Sequence, residues 1–274
     1  MKEWGVKINR GILTGCNEAF IIDGATKDKL ISEDSKSEEI IRPILRGRDI
    51  KRYSYTFADK WIILASYGSH KWIPTQYPAI YSHLCQYEEK LKNRGQCRYT
   101  ANGKPNTKSN AEFPGQHHWL ELDNNPRQNY LDDFSKQKIV WGEFSAYPKF
   151  TFVKSGYFFP NNMSMIIAKD SLPILASLNS AVAMYYVANN TPFGMGSFKW
   201  YQIYVKEIPI VSLPTQEKRI ITRLIEEMLV NDKRNTQKEV DELLFDAYGF
   251  TLEEQQHILS FSEEYFSKYH SHRG

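Results

Sequence analysis

The chain has 274 residues, of which 41% are hydrophobic, 14% aromatic and 24% charged. This composition supplies ample core and excludes a disordered, collagen-like or coiled-coil-only protein. The three cysteines, Cys16, Cys85 and Cys97, are odd in number and lack C-x-x-C spacing, so neither a disulfide framework nor a zinc ribbon is expected. The cysteines indicate a reducing, cytoplasmic setting, and we find no secretory signal at Met1 and no membrane span. The length predicts one large domain or two modest ones.

The net charge of +3 is distributed unevenly along the chain. Residues 217–266 contain twelve acidic and six basic residues, whereas residues 1–216 carry a net charge of +7. A basic body followed by an acidic segment indicates a polyanion-binding part with an appended part. A solvated surface of uneven charge would have the same composition, and charge alone leaves both interpretations open.

Up to about residue 213, the sequence predicts an α+β fold in which small mixed sheets combine with helices. Strands are predicted where short apolar, β-branched or aromatic runs are bounded by turn residues. These runs are residues 20–23, 61–65, 139–144, 150–153, 163–168 and 201–205. Apolar residues at every third or fourth position predict helices over residues 77–94 and 172–187. A further helix is expected to end near Gly47, after the periodic apolar residues of segment 40–45.

The character of the chain changes after Leu213-Pro214. We therefore predict a mixed α+β domain over residues 1–213 and a helical C-terminal extension over residues 214–274. The apolar residues of segment 220–229 recur with a period near 3.6, as on one face of an amphipathic helix.

Two more helices are predicted in the extension. The first carries apolar residues within segment 240–247 and ends at Gly249, which occupies the position of a C-cap glycine. Thr251 and Glu254 have the spacing of a capping box and predict the start of the last helix.

Cofactor and base-flipping motifs are missing or lie in unsuitable contexts. Gly194-Met195-Gly196 follows a predicted helix instead of a strand, so we interpret it as a turn before a strand and not as a cofactor loop. An adenine methyltransferase is expected to carry Asn-Pro-Pro-Tyr or a close variant for the flipped base. Asn125-Pro126-Arg127 is the nearest fragment and lacks the second proline and the aromatic residue.

Nuclease and nucleophile motifs are equally unconvincing. The segment Glu88-Glu89-Lys90 has the Glu-x-Lys spacing of some nucleases, but it lies in the middle of a predicted helix and is interpreted as a solvated face. No G-x-S-x-G elbow is present. Cys97 could form a thiol–imidazole pair with His117 or His118, although no local motif supports it.

Basic residues close to aromatic ones are the informative signal. Four of them lie within segment 45–53, on a turn where guanidinium groups suit bidentate contacts to phosphate or guanine. They are Arg46, Arg48, Lys51 and Arg52, and they are our first candidates for DNA contact. The alternative is an internal ion pair that holds the turn, but the single Asp49 cannot pair with all four.

A second basic group lies in the long predicted loop over residues 94–113. It contains Arg94, Arg98, Lys104 and Lys108. Connections of this length are usually functional or mobile. We expect this loop to make base-specific contacts, because a loop can vary without disturbing the core. Lys199, between Phe198 and Trp200, is a further candidate.

Two motifs together resemble a known family. Residues 12–22, ILTGCNEAFII, and residues 41–53, IRPILRGRDIKRY, are similar to the TaqI-like C-terminal specificity domain. That domain is the target recognition domain of adenine-N6 DNA methyltransferases and of fused type IIG restriction–modification enzymes. Weaker similarities lie at residues 119–122, 138–141, 178–180, 207–210 and 243–251, so the resemblance covers about residues 5–255.

The resemblance implies that this chain recognises a specific site in double-stranded DNA and has no catalytic residue, cofactor or metal of its own. S-adenosylmethionine, and Mg²⁺ for a nuclease, are expected in domains outside the chain. Its partners would be DNA and a methyltransferase domain, either in the same polypeptide or in a separate modification subunit. Because the first motif closely follows Met1, we expect a fragment of a larger enzyme.

Two other classes of function remain open on the sequence. One is a DNA-processing enzyme with an unrecognised catalytic site, and the other is a protein-interaction module that acts through the helical extension.

Overall fold

The computed structural model of the chain describes residues 4–100, 102–107, 110–230 and 234–270. The strands of these residues form four small sheets. In chain order they are β1 Lys7–Arg10, β2 Ile21–Asp23, β3 Ile41–Pro43, β4 Ile50–Lys51, β5 Ser54–Tyr55, β6 Lys60–Ile63, β7 Lys138–Gly142, β8 Phe144–Ser145, β9 Phe150–Val153, β10 Met163–Ile167, β11 Phe193–Gly194 and β12 Ser197–Lys199.

Helices connect and cover these sheets. The α-helices are α1 Asn17–Phe20, α2 Gly24–Glu33, α3 Ile73–Gln76, α4 Pro78–Cys85, α5 Glu88–Lys92, α6 Gly95–Arg98, α7 Gln128–Leu131, α8 Ser171–Leu178, α9 Ala181–Asn190, α10 Gln202–Val205, α11 Thr215–Val230, α12 Arg234–Tyr248 and α13 Leu252–His270. Short 3₁₀ helices span Ser35–Ile40, Gly47–Asp49, Ser69–Lys71 and Asp132–Ser135. The predicted α+β class and the helical C-terminal end are confirmed.

The largest sheet is antiparallel, has the strand order β1-β10-β7-β9 and is buried on both faces. Side chains alternate between its two faces along each strand. Val140 of β7 therefore packs into a core with the N-terminal half of the chain, whereas its neighbours Ile139 and Trp141 pack into a second core on the opposite face. The sheet thus separates two hydrophobic cores.

The N-terminal half covers one face. Its three-stranded sheet, ordered β2-β6-β3, packs with α2 and α4 against the side of the large sheet that carries Val140. On the opposite face lies α8, which packs against β7 and β9, and α11 packs against α8.

The acidic extension shares this second core with the body. Ile221 and Ile225 of α11 and Leu244 of α12 belong to the same buried cluster as Trp141 and Trp200. The apolar stripe predicted over residues 220–229 therefore packs largely inward, and α11 begins at Thr215, beside the predicted boundary. The extension is consequently part of the folded body and not an appendage.

The predicted end of α12 and start of α13 are confirmed in detail. Gly249 has a φ of 75°, the left-handed conformation that favours glycine at a helix end. Glu254 accepts hydrogen bonds from the backbone N–H and the hydroxyl of Thr251, and the Thr251 hydroxyl accepts one from the Glu254 N–H. These reciprocal bonds are those of a capping box.

The single helix predicted over residues 172–187 is wrong, because α8 and α9 are separated at Asn179 and Ser180. The Asn179 amide bonds to both backbone groups of Phe150 in β9, at 3.1 and 2.9 Å. Ser180 caps α9 by accepting from the Ala183 N–H at 3.1 Å. The break therefore ties the helix pair to the edge of the large sheet.

Three other predictions of secondary structure differ from the structure. The helix predicted over residues 77–94 is divided into α4 and α5. The helix expected to end near Gly47 is replaced by a strand. Strand β3 pairs with β6, and the 3₁₀ turn Gly47–Asp49 follows it. The β-branched residues of this segment and Pro43 favour a strand over a helix. Residues 201–205, predicted as a strand, contain the single helical turn α10.

In the described ranges, no single helix has both the length and the apolar composition needed to cross a bilayer. Together, α8 and α9 meet that test, but they are bent by 58° at their junction.

We predict that the extension contributes directly to stability. Replacing Ile225, which is fully buried on α11, by alanine should lower the free energy of unfolding by about 2–5 kcal/mol because it leaves a cavity in the second core. The matched control is Val230→Ala on the same helix, where the side chain is 79% exposed and the change should stay within about 0.5 kcal/mol. Urea unfolding followed by circular dichroism measures both, and equal effects would contradict this packing.

Candidate nucleic-acid interface

The basic segment 45–53 divides into internal and exposed residues. Arg46 makes two side-chain hydrogen bonds to the carboxylate of Asp49, at 3.0 and 2.8 Å, and its backbone N–H donates a third at 2.7 Å. These bonds to Asp49 raise the pKa of Arg46. Arg46 is therefore part of the internal turn motif, which was the alternative interpretation, and its contact with DNA stays a prediction.

Arg52 and Tyr53 connect the same segment to the extension. Arg52 is half-buried and donates to the backbone carbonyl of Asn179, at the break between α8 and α9. Tyr53 is buried, has a φ of 61°, and donates its hydroxyl to Gln237 of α12 at 2.7 Å. Gln237 in turn bonds to Asp241 at 3.0 Å. Arg52, which we predicted as a DNA contact, points into this joint.

Asp241 is the buried centre of the joint. Burial raises the pKa of its carboxyl group, and the charge of Arg52 and a 2.9 Å hydrogen bond from the Ala181 N–H oppose that rise. The carboxylate thus sits at the N-terminus of α9, where the helix dipole favours a negative charge. Body and extension meet at a network that contains both charges.

Arg48 and Lys51 are the exposed members of segment 45–53. Arg48 lies in the 3₁₀ turn Gly47–Asp49, and this turn packs against the end of β7, where a Cβ at Gly142 would lie 3.7 Å from the Cα of Gly47. The turn therefore presents Arg48 at one end of the large sheet.

Other cations lie at the same end of that sheet. Met163 of β10 pairs with Gly142, and the next residue, Ser164, pairs with Arg10 at the end of β1. Arg10 is 57% exposed and forms a 2.9 Å ion pair with Glu143, which directly follows Gly142. The strand register thus brings Arg10 and Arg48, which are distant in sequence, to the same end of the large sheet.

The small sheet β11-β12-β8 lies at this same end of the large sheet. Lys199 pairs with Phe144, whose ring is 56% exposed, and Lys199 itself is half-buried. Lys149 lies at the same end of the large sheet, because the next residue, Phe150, pairs with Trp141 beside Gly142. Cations therefore lie close to an exposed aromatic ring at this end of the sheet.

A polar cleft of about 360 Å³ opens on the other side of Arg10. Its lining includes Arg10, Asn124, Asn125, Arg127 and Tyr130. It also includes Asp123, whose carboxylate is paired with Arg94 and His117. The hydroxyl of Tyr130 donates to the carbonyl of Arg10 or Gly11. The guanidinium of Arg127 lies over the exposed ring of Tyr67, at 5.9 Å from its centroid. Amide and guanidinium groups in one cleft can hydrogen-bond to base edges or phosphates.

Backbone strain accompanies this cleft. Asn124 and Asn125 have φ values of 63° and 47°, in the left-handed region where asparagine is among the few residues tolerated. The side chain of Gln96 holds Asn124 through two hydrogen bonds, at 2.9 and 2.8 Å. The predicted basic loop therefore begins beside the cleft.

Within that loop, Arg98 and Lys104 are exposed, and Arg98 lies over the ring of Tyr99 at 5.2 Å. Lys108, the remaining predicted contact of the loop, lies outside the described residues.

Arg94, predicted as a DNA contact, is buried instead. Its guanidinium donates to the backbone carbonyls of Thr14, Trp119 and Glu121 and to the carboxylate of Asp123, at distances between 2.7 and 2.8 Å. Gly15 packs against the same carboxylate with a φ of 66°, so that a Cβ there would lie 2.4 Å from Asp123. Arg94 therefore docks the first sequence motif and is not available to DNA.

Cys97 and His117 do meet, but inside the protein. The thiol lies 3.6 Å from Nδ1 of His117, whose Nε2 is 2.9 Å from Asp123. Burial opposes the charge on His117, but hydrogen bonding to Asp123 and Cys97 outweighs it and raises the pKa of His117 to about 9. Since His117 is fully buried, this Cys–His–Asp arrangement is a structural ion pair without substrate access.

The other large cavity does not suit a polyanion. It measures about 520 Å³, lies between α9 and α13, and is lined by Tyr185, Phe250, Glu253, Glu254 and His257 among others. Its two glutamates would repel phosphate, so we do not include it in the interface.

Five candidate interface residues were missed by the sequence analysis: Arg10, Tyr67, Asn124, Arg127 and Phe144. Arg10 and Phe144 lie in strands, and strand register brings them to the end of the large sheet, whereas the other three lie in connections between elements. Local charge density, which is the signal that identified segment 45–53, is absent around them. Asn125-Pro126-Arg127 is an incomplete catalytic motif and gives no sequence signal for DNA contact.

Gly194-Met195-Gly196 does not have the structural context of a dinucleotide-binding loop. Gly194-Met195-Gly196 connects β11 to β12 as the predicted turn, whereas a dinucleotide-type loop joins a strand to a helix. Across the described ranges, no group of three or more His, Cys, Asp or Glu side chains is arranged to hold a metal ion. The segment Glu88-Glu89-Lys90 lies on the surface, where Lys90 pairs with Glu18.

The fold of this chain is similar to part of a solved restriction–modification enzyme. The type IIL enzyme MmeI, solved in complex with DNA, superposes with a TM-score of 0.64 at 13% sequence identity, over 97% of this chain and 36% of the MmeI chain. The type IIG endonuclease BpuSI gives a TM-score of 0.47 at 13% identity, over 88% of this chain and 30% of BpuSI. The chain thus spans about a third of these enzymes, and no curated protein sequence matches it.

The sequence profile of the TaqI-like C-terminal specificity domain matches residues 42–210. The chain belongs to this family, as the sequence motifs predicted.

We predict that His117 makes stability depend on pH. Because its pKa in the folded protein, about 9, exceeds the ordinary value of 6.5, its stabilising contribution is complete below about pH 6.5 and is lost as the pH rises through 9. The free energy of unfolding should fall over this window in the unmodified protein and less so in His117→Gln. His83→Gln is the control, since burial lowers the pKa of His83 and its titration lies below this window. Parallel pH profiles for the unmodified protein and His117→Gln would contradict the assignment.

Proposed function

We propose that this chain recognises a specific sequence in double-stranded DNA and serves as the target recognition part of an adenine-N6 methyltransferase or restriction–modification enzyme. The observation that carries the proposal is the cationic and aromatic surface at one end of the large sheet, in a chain of the TaqI-like specificity domain family. The fold similarity to MmeI, which was solved in complex with DNA, is consistent with it.

The exposed cations have the properties of phosphate contacts. Arg48, Lys51 and Lys199 lie around the sheet end on short turns and strands, which fix their positions relative to each other. Contacts to phosphate orient a protein on the duplex and supply most of its salt-dependent affinity.

Base recognition is assigned to the cleft and the adjacent loop. Asparagine can form a bidentate pair with adenine, and arginine with guanine. Asn124, Asn125 and Arg127 line the cleft, and Arg98 and Lys104 follow on the loop beside it. Both segments lie outside regular strands, so their side chains can differ without a change in the sheet.

Catalysis is assigned to other domains. In this proposal S-adenosylmethionine, and Mg²⁺ if a nuclease is present, are bound by a methyltransferase and a nuclease domain outside this chain. Those domains lie in the same polypeptide or in a separate modification subunit, and the assembly works in the cytoplasm. This chain positions the target site for them.

Selection from a random library tests the function. The full chain is incubated with duplexes that contain a random 20-base-pair segment (a length chosen for the experiment), and bound DNA is amplified and sequenced over several rounds. Enrichment of one shared motif is expected. Enrichment of no sequence, together with no measurable DNA affinity at low salt, would overturn the proposal.

We predict that Arg48 contributes to affinity and not to stability. About five phosphate contacts would give a slope of log K against log salt near −4 to −5, and Arg48→Ala should reduce its magnitude by about 0.9. Fluorescence anisotropy over a range of salt concentrations measures the slope.

Lys29→Ala on α2 is the control, because this lysine is exposed but lies outside the interface. Its slope should equal that of the unmodified chain. If Arg48→Ala loses cooperative thermal unfolding, Arg48 is instead a structural residue like Arg46.

A further inference from the structure

The hairpin formed by β11 and β12 ends in an unusual residue. Gly194 pairs with Ser197, which leaves Met195 and Gly196 as a two-residue turn. Their φ values are 53° and 75°, and two positive φ values are typical of a type I′ turn. Asparagine, aspartate and glycine favour the first of these positions, whereas a methionine there is strained.

Met195 is also the most exposed large apolar residue of the described chain, with a relative exposure of 107%. The side chain therefore gains nothing from burial, and its backbone conformation is unfavourable. A methionine with a positive φ and an exposed side chain is unfavourable both for its backbone and for its apolar surface, and no contact within the described part of the chain compensates for this. Such a residue indicates a functional role, for example in binding a partner.

The base of the hairpin is rigid. Trp200, which follows β12, is buried, donates its indole N–H to the Ser145 carbonyl at 3.0 Å and accepts a 2.7 Å hydrogen bond from the Trp141 indole through its own carbonyl. Phe198 is buried between the rings of Phe193 and Tyr265, at 4.7 and 5.6 Å. The exposed tip thus projects from a fixed support.

The surroundings of the tip suit DNA. The hairpin is continuous with the candidate interface, because Lys199 pairs with Phe144 beside the Arg10–Glu143 ion pair. Lys199 of the hairpin and Lys149, at the same end of the large sheet, supply positive charge on this side of the molecule. An exposed apolar tip beside such cations is similar to the apolar side chains, methionine among them, that DNA-bending proteins insert between base pairs.

We propose that Met195 inserts into a base step of the bound duplex, partially unstacks it and kinks the DNA. This inference rests on the proposed function and adds to it a specificity-determining residue, since the cost of unstacking depends on which base step is opened. Pyrimidine–purine steps open most easily, so the selected site should contain one where the tip docks.

The decisive variant is Met195→Asn. Asparagine suits the turn, so the variant should melt at the same or a higher temperature, while the apolar tip is lost. The experiment uses the full chain and the duplex obtained by selection, with a fluorescent donor and acceptor at its ends and 2-aminopurine placed in turn along the site.

The unmodified chain should raise energy transfer, which reports bending, and enhance 2-aminopurine emission at one step. Met195→Asn should lose both signals and bind about tenfold more weakly, whereas Met195→Leu should retain them because leucine is also an inserting side chain. Leu252→Asn is the control for removal of an exposed apolar residue, as Leu252 is 76% exposed on α13, outside the candidate interface, and it should change neither signal.

Two results would overturn the inference while leaving the proposed function intact. In one, the unmodified chain binds the selected duplex without bending it or enhancing 2-aminopurine emission. In the other, Met195→Asn weakens binding but leaves both signals unchanged, as expected for a surface contact to a base. Failure to select or bind any DNA would instead reject the proposed function, and the inserted methionine with it.

Discussion

Burial of one antiparallel sheet on both faces is the constraint on which the rest of this structure depends. Such a sheet needs a separate apolar layer on each side, and here the N-terminal half supplies one and α8, α11 and α12 supply the other. Each fully buried large side chain contributes about 1.5–3 kcal/mol, so neither layer is dispensable in a protein of marginal net stability. What remains exposed is the end of the sheet, and the cationic turns gather there.

The sequence predicted those parts of the fold that depend on residues close together in the chain, and it failed where the partners are far apart in sequence. The capping box of Thr251 and Glu254 and the strand Phe150–Val153 follow from local chemistry and were predicted correctly. The break between α8 and α9 was missed because Asn179 bonds to the backbone of Phe150, a partner 29 residues away. Helical periodicity continues across the break and carries no sign of that partner.

The candidate site shows the same limit. Density of charge identified segment 45–53, but charge density does not report which guanidinium is already paired. Arg46 and Arg94 are bound by Asp49 and Asp123, and Arg52 points into the joint with α12, so three of the predicted contacts serve the fold. Those that remain on the surface, such as Arg48, are joined there by Arg10 through strand register, which a pattern of residue types does not encode.

The joint between Arg52 and Asp241 has a consequence for exchanging recognition modules between enzymes. The compositional break at residue 213 looks like a natural place to cut, yet a graft ending there would leave Arg52 and the α9 terminus without the buried carboxylate. Tyr265 would be lost from behind Phe198 as well. A transplantable unit therefore has to include α11, α12 and α13, because these acidic helices support the part of the chain that carries the basic surface.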